Sequence, residues 1–279
     1  MKIGIRGEMA VTRCTMASLP LSTTLVFVLS FFFCGLMMIP LTVASGRTVP
    51  LDPVCNRRPG ETAELAFNRH RTFPDVDPFI GTGGDGYGAV ALFPGAQVPF
   101  GMARLSPDST GDHTDLPFRH LGGYSYCDDE IQAFSHLHMV GAGVSDLGNL
   151  GIIPFFSVNG SLSDRLVCRA RDLGGYYVRL CDYKQRFSHW DELAEPGRYS
   201  VVLQDSREKS SIIANLSATA HAAIHRYQYL DSNLNKHVVI DPCHNIAFEE
   251  TACLDSAVWV DAVTPRRLQG WIHFSGLII

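Results

Sequence analysis

The chain has 279 residues, 46% of them apolar and 18% charged, with a formal net charge of −5. That composition belongs to a globular protein and excludes a disordered or low-complexity one. It also excludes a basic nucleic-acid binder, because no positive field is present to hold phosphates.

Residues Leu25 to Ala44 read LVFVLSFFFCGLMMIPLTVA, without a charge. That is long enough to cross a bilayer as one N-terminal hydrophobic helix. Lys2, Arg6 and Arg13 precede it against a single Glu8, which keeps the N-terminus cytoplasmic and sends the rest outward. Two readings of residues 1–46 stay open. One is a cleaved signal peptide, with Thr42, Ala44 and Gly46 near the cut. The other is an uncleaved anchor of a single-pass type II membrane protein. Both deliver residues 47–279 to the secretory pathway, luminal or extracellular. Two glycosylation sequons agree with this, Asn159-Gly160-Ser161 and Asn215-Leu216-Ser217. The exported part holds Cys55, Cys127, Cys168, Cys181, Cys243 and Cys253, an even number suited to disulfides. Nearest neighbours pair Cys168 with Cys181 and Cys243 with Cys253, although six cysteines allow about fifteen connectivities.

Residues 47–74 are rich in Arg and Pro and read as a stalk. Ordered sequence begins at Val76-Asp77-Pro78-Phe79-Ile80. Short apolar runs then alternate with turn signals. The expected strands are Gln97–Leu105, Ile131–Met139, Gly151–Val158, Tyr176–Leu180, Tyr199–Leu203, Ile212–Asn215, Ala222–Tyr229, Val238–Ile240, Ala257–Val260 and Trp271–Phe274. In Ala222–Tyr229, Ile224, Arg226 and Gln228 fall on one face and His225, Tyr227 and Tyr229 on the other. Many short strands without a helical stripe predict an all-β, antiparallel β-sandwich over residues 75–279.

Three segments carry candidate chemistry. Gly81-Thr82-Gly83-Gly84-Asp85-Gly86-Tyr87-Gly88 is too glycine-rich for a regular strand or helix. It is either a tight structural loop or one facing a ligand. Nucleotide binding is rejected, because Phe93-Pro94-Gly95 forbids the helix that a phosphate loop needs. In Ser135-His136-Leu137-His138, a strand places both imidazoles on one face. They are a satisfied half-buried pair, contacts to sugar hydroxyls, or metal ligands with Asp146 as a third. Gly141 to Asn149 is a second glycine-rich loop, in which Asp146 could act as an acid or base, with no second carboxylate evident. Asp241-Pro242-Cys243-His244-Asn245 reads as a polar turn. Tyr87, Phe93, Tyr124, Tyr126 and Trp190 are candidates for stacking on sugars.

Four segments in order carry a resemblance: VDPFIGTGGDGYG (76–88), FPGAQVPFGMARLSPDS (93–109), HLGGYSYCDDEIQAFSHLHMVGAGVSDLGNLGIIP (120–154) and FSHWDELAEPGRYSVVL (187–203). Together they resemble the amino-terminal domain of glycoside hydrolase family 92, the calcium-dependent α-mannosidases. Leu137 stands where the family often has Thr, and Leu147 where an aromatic is common. The resemblance implies a β-sandwich of the supersandwich type followed by an (α/α)6 barrel, with the site between them. It implies an inverting exo-α-mannosidase acting on mannose-rich N-glycans, in which one carboxylic acid protonates the leaving oxygen and another carboxylate activates water. It also implies calcium, held by oxygen ligands chiefly in the barrel, so none is expected for this chain alone. The acid and base belong to the barrel too, which would need several hundred residues after Ile279. No catalytic residue is therefore carried over. The expected substrate-binding residues are Gly84, Asp85, Gly86, Tyr87, His136, His138 and Asp146. The alternative is a stand-alone carbohydrate-binding module without catalysis, tethered to the membrane through residues 25–44. If a partner body is missing, one face should be apolar and unusually exposed.

Overall fold

The computed structural model describes residues 73, 75–83, 91–110, 121–141, 148–157, 162–172, 177–246 and 252–275. The N-terminal helix expected over 25–44, nearly all of the stalk, Gly84 to Tyr87, Asp146 and Asn159 lie outside them. Among the described residues no helix is long and apolar enough to cross a membrane.

The described residues form strands β1 (Ala96–Gln97), β2 (Arg104–Thr110), β3 (Glu130–Ser135), β4 (Gly151–Ser157), β5 (Cys168–Asp172), β6 (Tyr177–Cys181) and β7 (Gln185–Arg186). A 3-10 turn, His189–Asp191, leads into β8 (Glu192–Glu195), β9 (Arg198–Asp205), β10 (Ser210–Ala218), β11 (Ala223–Tyr229), β12 (Asn235–Asp241), β13 (Ala252–Val260) and β14 (Leu268–Ser275). Every pairing is antiparallel. The main sheet runs β1-β2-β3-β7-β9-β10-β11, with β4 and β12 beside β3 and β8 beside β9. The all-β expectation holds over the described residues.

Alternation builds the β9–β10–β11 half. Tyr199, Val201 and Leu203 are buried on β9, and Ile212, Ala214 and Leu216 on β10. The register sets Leu203 and Tyr229 beside Ile212, Val201 and Tyr227 beside Ala214, and Tyr199 and His225 beside Leu216. One face thus collects the buried apolar side chains, as period-two geometry requires, while Val202, Ile213 and Ile224 fall on the other. The face expected for His225, Tyr227 and Tyr229 is the inner one. It packs on β3 and β4: the Phe134 ring stacks on Tyr227 at 6.3 Å, and Phe156 meets Tyr229 edge-on at 5.2 Å. Full burial of each such side chain contributes about 1.5–3 kcal/mol. Strands β2, β3 and β4 are buried on both faces, so their sequences do not alternate.

Several boundaries differ from expectation. The strand expected over Gln97–Leu105 is split by a turn, Val98-Pro99-Phe100-Gly101, where Gly101 N donates to Val98 O at 3.0 Å. Pro99 favours that turn, and Phe100 takes φ +60 at its third position. The strand expected over Ile131–Met139 ends at Ser135. Strands β5 and β8 read CRARD and ELAE. They lack an apolar pattern, and pairing with β6 and β9 creates them. Cys168 and Cys181 sit directly opposite each other on β5 and β6 and are joined, as are Cys243 and Cys253. Both expected pairings therefore hold, and Cys127 is disulfide-bonded as well. Strands β13 and β14 form a separate hairpin that exposes Trp259 and Trp271.

Candidate functional site

Three hydrogen-bonded clusters of titratable side chains stand out among the described residues. The first centres on Asp108 of β2. Register places Asp108 opposite Ala133, and Ser106 opposite Ser135, on the face away from β9–β11. His138 Nε2 donates to Asp108 Oδ1 at 2.7 Å, and His244 Nε2 donates to Oδ2 at 2.7 Å. His138 Nδ1 donates to the Arg104 carbonyl at 2.7 Å, and the Phe93 ring lies 4.8 Å from the imidazole. Two glycines leave the room. A Cβ on Gly123, whose φ is +83, would stand 2.3 Å from Asp108 Oδ1; one on Gly151 would stand 2.6 Å from the His244 ring. Burial pushes the Asp108 carboxyl up, but attraction to His138 and the hydrogen bonds from both imidazoles outweigh it and hold it below its ordinary value.

The second cluster uses His136. The chain bends at His136, so alternation stops and the two imidazoles part company. The two imidazoles that strand alternation would put on one face therefore serve different clusters. His136 Nδ1 donates to Leu150 O at 3.0 Å, which leaves Nε2 as an acceptor 3.0 Å from His225 Nε2. His225 Nδ1 then accepts from the Tyr227 hydroxyl at 2.8 Å. The end carbonyl thereby sets the tautomer of each ring along the chain. Both rings are neutral in it. Burial lowers His136, and burial followed by repulsion from His136 lowers His225 to about 3.

The third cluster centres on Glu192. Tyr199 OH donates to Oε1 at 2.6 Å, Tyr124 OH to the same oxygen at 2.9 Å, and His189 Nδ1 to Oε2 at 2.5 Å. Burial, and then the Glu192 charge, push both tyrosines well above their ordinary value, so they remain donors. His189 Nε2 donates to Tyr126 O at 2.7 Å, and the two rings stack 3.9 Å apart.

Backbone hydrogen bonds hold the described residues flanking the loops expected to face a sugar, one of them from Tyr126 beside the Glu192 cluster. Tyr126 N donates to Thr82 O at 2.9 Å, holding the start of the 81–88 segment. Gly141 N donates to Ala91 O at 3.0 Å, tying the start of the second glycine loop to a residue three positions beyond the first. Of the expected site residues, His136 and His138 are described and serve different clusters. Gly84, Asp85, Gly86, Tyr87 and Asp146 lie outside the described residues. Among the aromatic candidates, Phe93 and Tyr124 are buried and serve packing, while Trp190 is exposed. Sequence reasoning passed over Asp108, His189, Glu192 and His244. His244 was read as part of a polar turn, and only the fold brings it to a carboxylate 136 positions away.

Calcium needs about six to eight oxygen ligands. Asp108 and Glu192 are spent as above. Asp205 accepts from Arg165 and from the amides of Phe156, Arg207 and Glu208. Asp241 accepts from Tyr183 OH and Cys243 N. These buried carboxylates do not fit a calcium site, and among the described residues no three His, Cys, Asp or Glu side chains are grouped to hold a metal.

A model of the glycosyl hydrolase family 92 N-terminal domain matches residues 75–278. A relative from Arthroderma benhamiae, described as an uncharacterized secreted glycosidase, is 25% identical over 159 residues, covering 57% of this chain and 17% of its own. The solved structure of a family 92 glycosyl hydrolase is 29% identical with a TM-score of 0.51, covering 71% of this chain and 23% of its own. A family 92 α-mannosidase from Bacteroides thetaiotaomicron, solved with mannoimidazole, is 26% identical with a TM-score of 0.50, covering 72% and 23%. The chain thus spans less than a quarter of the length of these relatives.

Proposed function

Because the chain belongs to glycosyl hydrolase family 92, as its N-terminal domain, we propose that it is the carbohydrate-contacting part of an inverting exo-α-mannosidase acting on mannose-rich N-glycans. In this reading the domain is a β-sandwich of the supersandwich type. It hydrolyses nothing until joined to an (α/α)6 barrel that supplies the general acid, the base and the ligands for calcium. The sugar meets the glycine-rich segments 81–88 and 141–149, with Gly84, Asp85, Gly86, Tyr87 and Asp146 at the pocket. His136 and His138 act from behind, holding the backbone that bears them. The family match over residues 75–278 carries this reading. In it the carboxylates of Asp108, Glu192, Asp205 and Asp241 serve the fold, each accepting hydrogen bonds from this chain. An inverting pair needs two carboxyl groups free to meet a leaving oxygen and a water.

The disulfides fit an oxidising compartment. Residues 25–44 are the export signal or anchor in this reading, with Asn159 and Asn215 as glycan acceptors. Asn215 lies on the outer face of β10, where its Oδ1 accepts from Ser200 Oγ at 3.1 Å.

The test is mannose release from α-mannosides by the chain alone, with calcium present, beside a direct binding titration of the same sugars. Binding without turnover is expected. Turnover by the chain alone would overturn the division of labour, and the absence of both binding and turnover would overturn the sugar-contacting role.

A further inference from the structure

The sequon Asn215-Leu216-Ser217 lies inside strand β10, although such acceptors are expected in surface loops. Leu216 is buried in the core, so period-two geometry turns Asn215 and Ser217 outward together. Asn215 stands between Ser200 of β9 and Arg226 of β11, and Ser217 stands between Arg198 and Ile224. Both outward side chains are tied into the sheet. Asn215 Oδ1 accepts from Ser200 Oγ at 3.1 Å, and Ser217 Oγ donates to the Gly197 carbonyl at 3.0 Å. Asn215 Nδ2 has no hydrogen-bond partner among the described residues and is not closed off from solvent.

This geometry separates carrying a glycan from receiving one. A transferase must hold the Asn carboxamide and the hydroxyl two residues on in one cleft. In β10 that backbone is paired on both sides, with β9 and with β11, and each neighbour lies only about 4.8 Å away. A cleft cannot close around a strand so flanked. Freeing it means breaking both ladders and withdrawing Ile212, Ala214 and Leu216 from the core. In the growing chain the second ladder forms late. The β9–β10 hairpin by itself is marginal in water. Synthesis at about 5–20 residues per second delivers β11 within about 3 s of the sequon.

We infer that Asn215 receives its N-glycan only before β10 is paired on both edges, and that the folded sheet then closes the site to the transferase while carrying the finished glycan on its outer face. The inference rests on the export proposed above and deepens the acceptor role named there. The donor is an oligosaccharide linked through diphosphate to a lipid. Transfer forms a bond from Asn215 Nδ2 to the anomeric carbon, breaks that carbon's bond to the lipid diphosphate, which leaves, and releases one proton from Nδ2. The product amide keeps Oδ1 as the acceptor for Ser200 Oγ, so the modified strand takes its place in the sheet unchanged.

The test uses the full chain with a second Asn-Leu-Ser tripeptide appended after Ile279, as an acceptor outside the sheet. The chain is made in a eukaryotic secretory host and treated with peptide N-glycosidase in heavy-oxygen water, which converts each glycan-bearing Asn to labelled Asp. Label is expected at Asn215 and at the appended site. Label at the appended site alone overturns the inference and leaves export standing; label at neither overturns both. Timing is read on the same chain made without glycans and folded, then given purified oligosaccharyltransferase and its lipid-linked donor. Transfer to Asn215 should be at least about tenfold slower than transfer to the appended site, because it waits on the opening of a core strand. Equal rates would overturn the closure. Should the unglycosylated chain fail to fold, pulse-chase labelling in the secretory host decides. Asn215 should be occupied by the end of synthesis, and occupancy gained during the chase would overturn the inference.

Discussion

Asp108 is tightly constrained. Two imidazoles donate to it, and Gly123 approaches within a distance that no other residue could keep. Gly123→Ala therefore combines a left-handed backbone with a Cβ driven against a buried carboxylate. We expect a loss of about 2–4 kcal/mol in urea unfolding; a loss under 0.5 kcal/mol would show that the close approach is unnecessary. Acid should weaken the fold through His225 and Asp108, and through the lowered His136 in the same direction as His225. His225 is held neutral down to about 3, whereas an unfolded histidine binds its proton near pH 6.5. Between those values the unfolded chain holds the extra proton, so stability falls as pH falls, by at most about 1.4 kcal/mol per pH unit for this ring. The lowered carboxyl of Asp108 adds stability that is present above its unfolded value and lost as pH falls through its folded one. Unfolding midpoints measured from pH 7 to pH 4 should fall less steeply for His225→Phe than for the parent chain.

Strand β11 was legible because one of its faces meets solvent and the other meets Phe134 and Leu216, which produces alternation. Strand β3 was legible in its start but not its end, because the bend at His136 leaves no mark in composition. Strands β5 and β8 were not legible, since pairing partners rather than propensity make them strands. The β13–β14 hairpin stands apart, with exposed tryptophans on the shared face that carries Ala257, Trp259, Gln269 and Trp271. A two-stranded hairpin is marginal by itself in water. The Cys243–Cys253 bond, closing a separation of 10 residues, anchors its root to the turn that bears His244. Loop-closure entropy assigns such a bond about 2–3 kcal/mol. Replacing both cysteines by serine should accelerate amide exchange in β13 and β14 while leaving β9 and β10 protected. Uniform loss of protection would mean that the hairpin is integral to the main sheet.

Large apolar side chains remain exposed at several places, among them Ile80, Phe100, Met102, Ile224, Val263 and Trp271. Phe100 is entirely exposed on a backbone that disfavours it. Monomeric proteins seldom leave large contiguous apolar patches bare, and interdomain faces commonly bury about 600–1,500 Å². These side chains are the described residues from which an apolar interdomain face would be drawn. Residues 75–279 expressed alone should self-associate in sedimentation velocity at micromolar concentration. A single monodisperse species would count against a missing partner body.

Local information determined the class of fold and the family and suggested the two nearest-neighbour disulfides that the structure contains. Those follow from alternation, from motifs in a fixed order and from short separations along the chain. The pairing of His136 with His225, of Asp108 with His244 and of Glu192 with Tyr124 depended on the assembled sheet. Buried polar groups must find partners wherever packing places them, and neither periodicity nor spacing encodes a hydrogen bond between residues 68 to 136 positions apart.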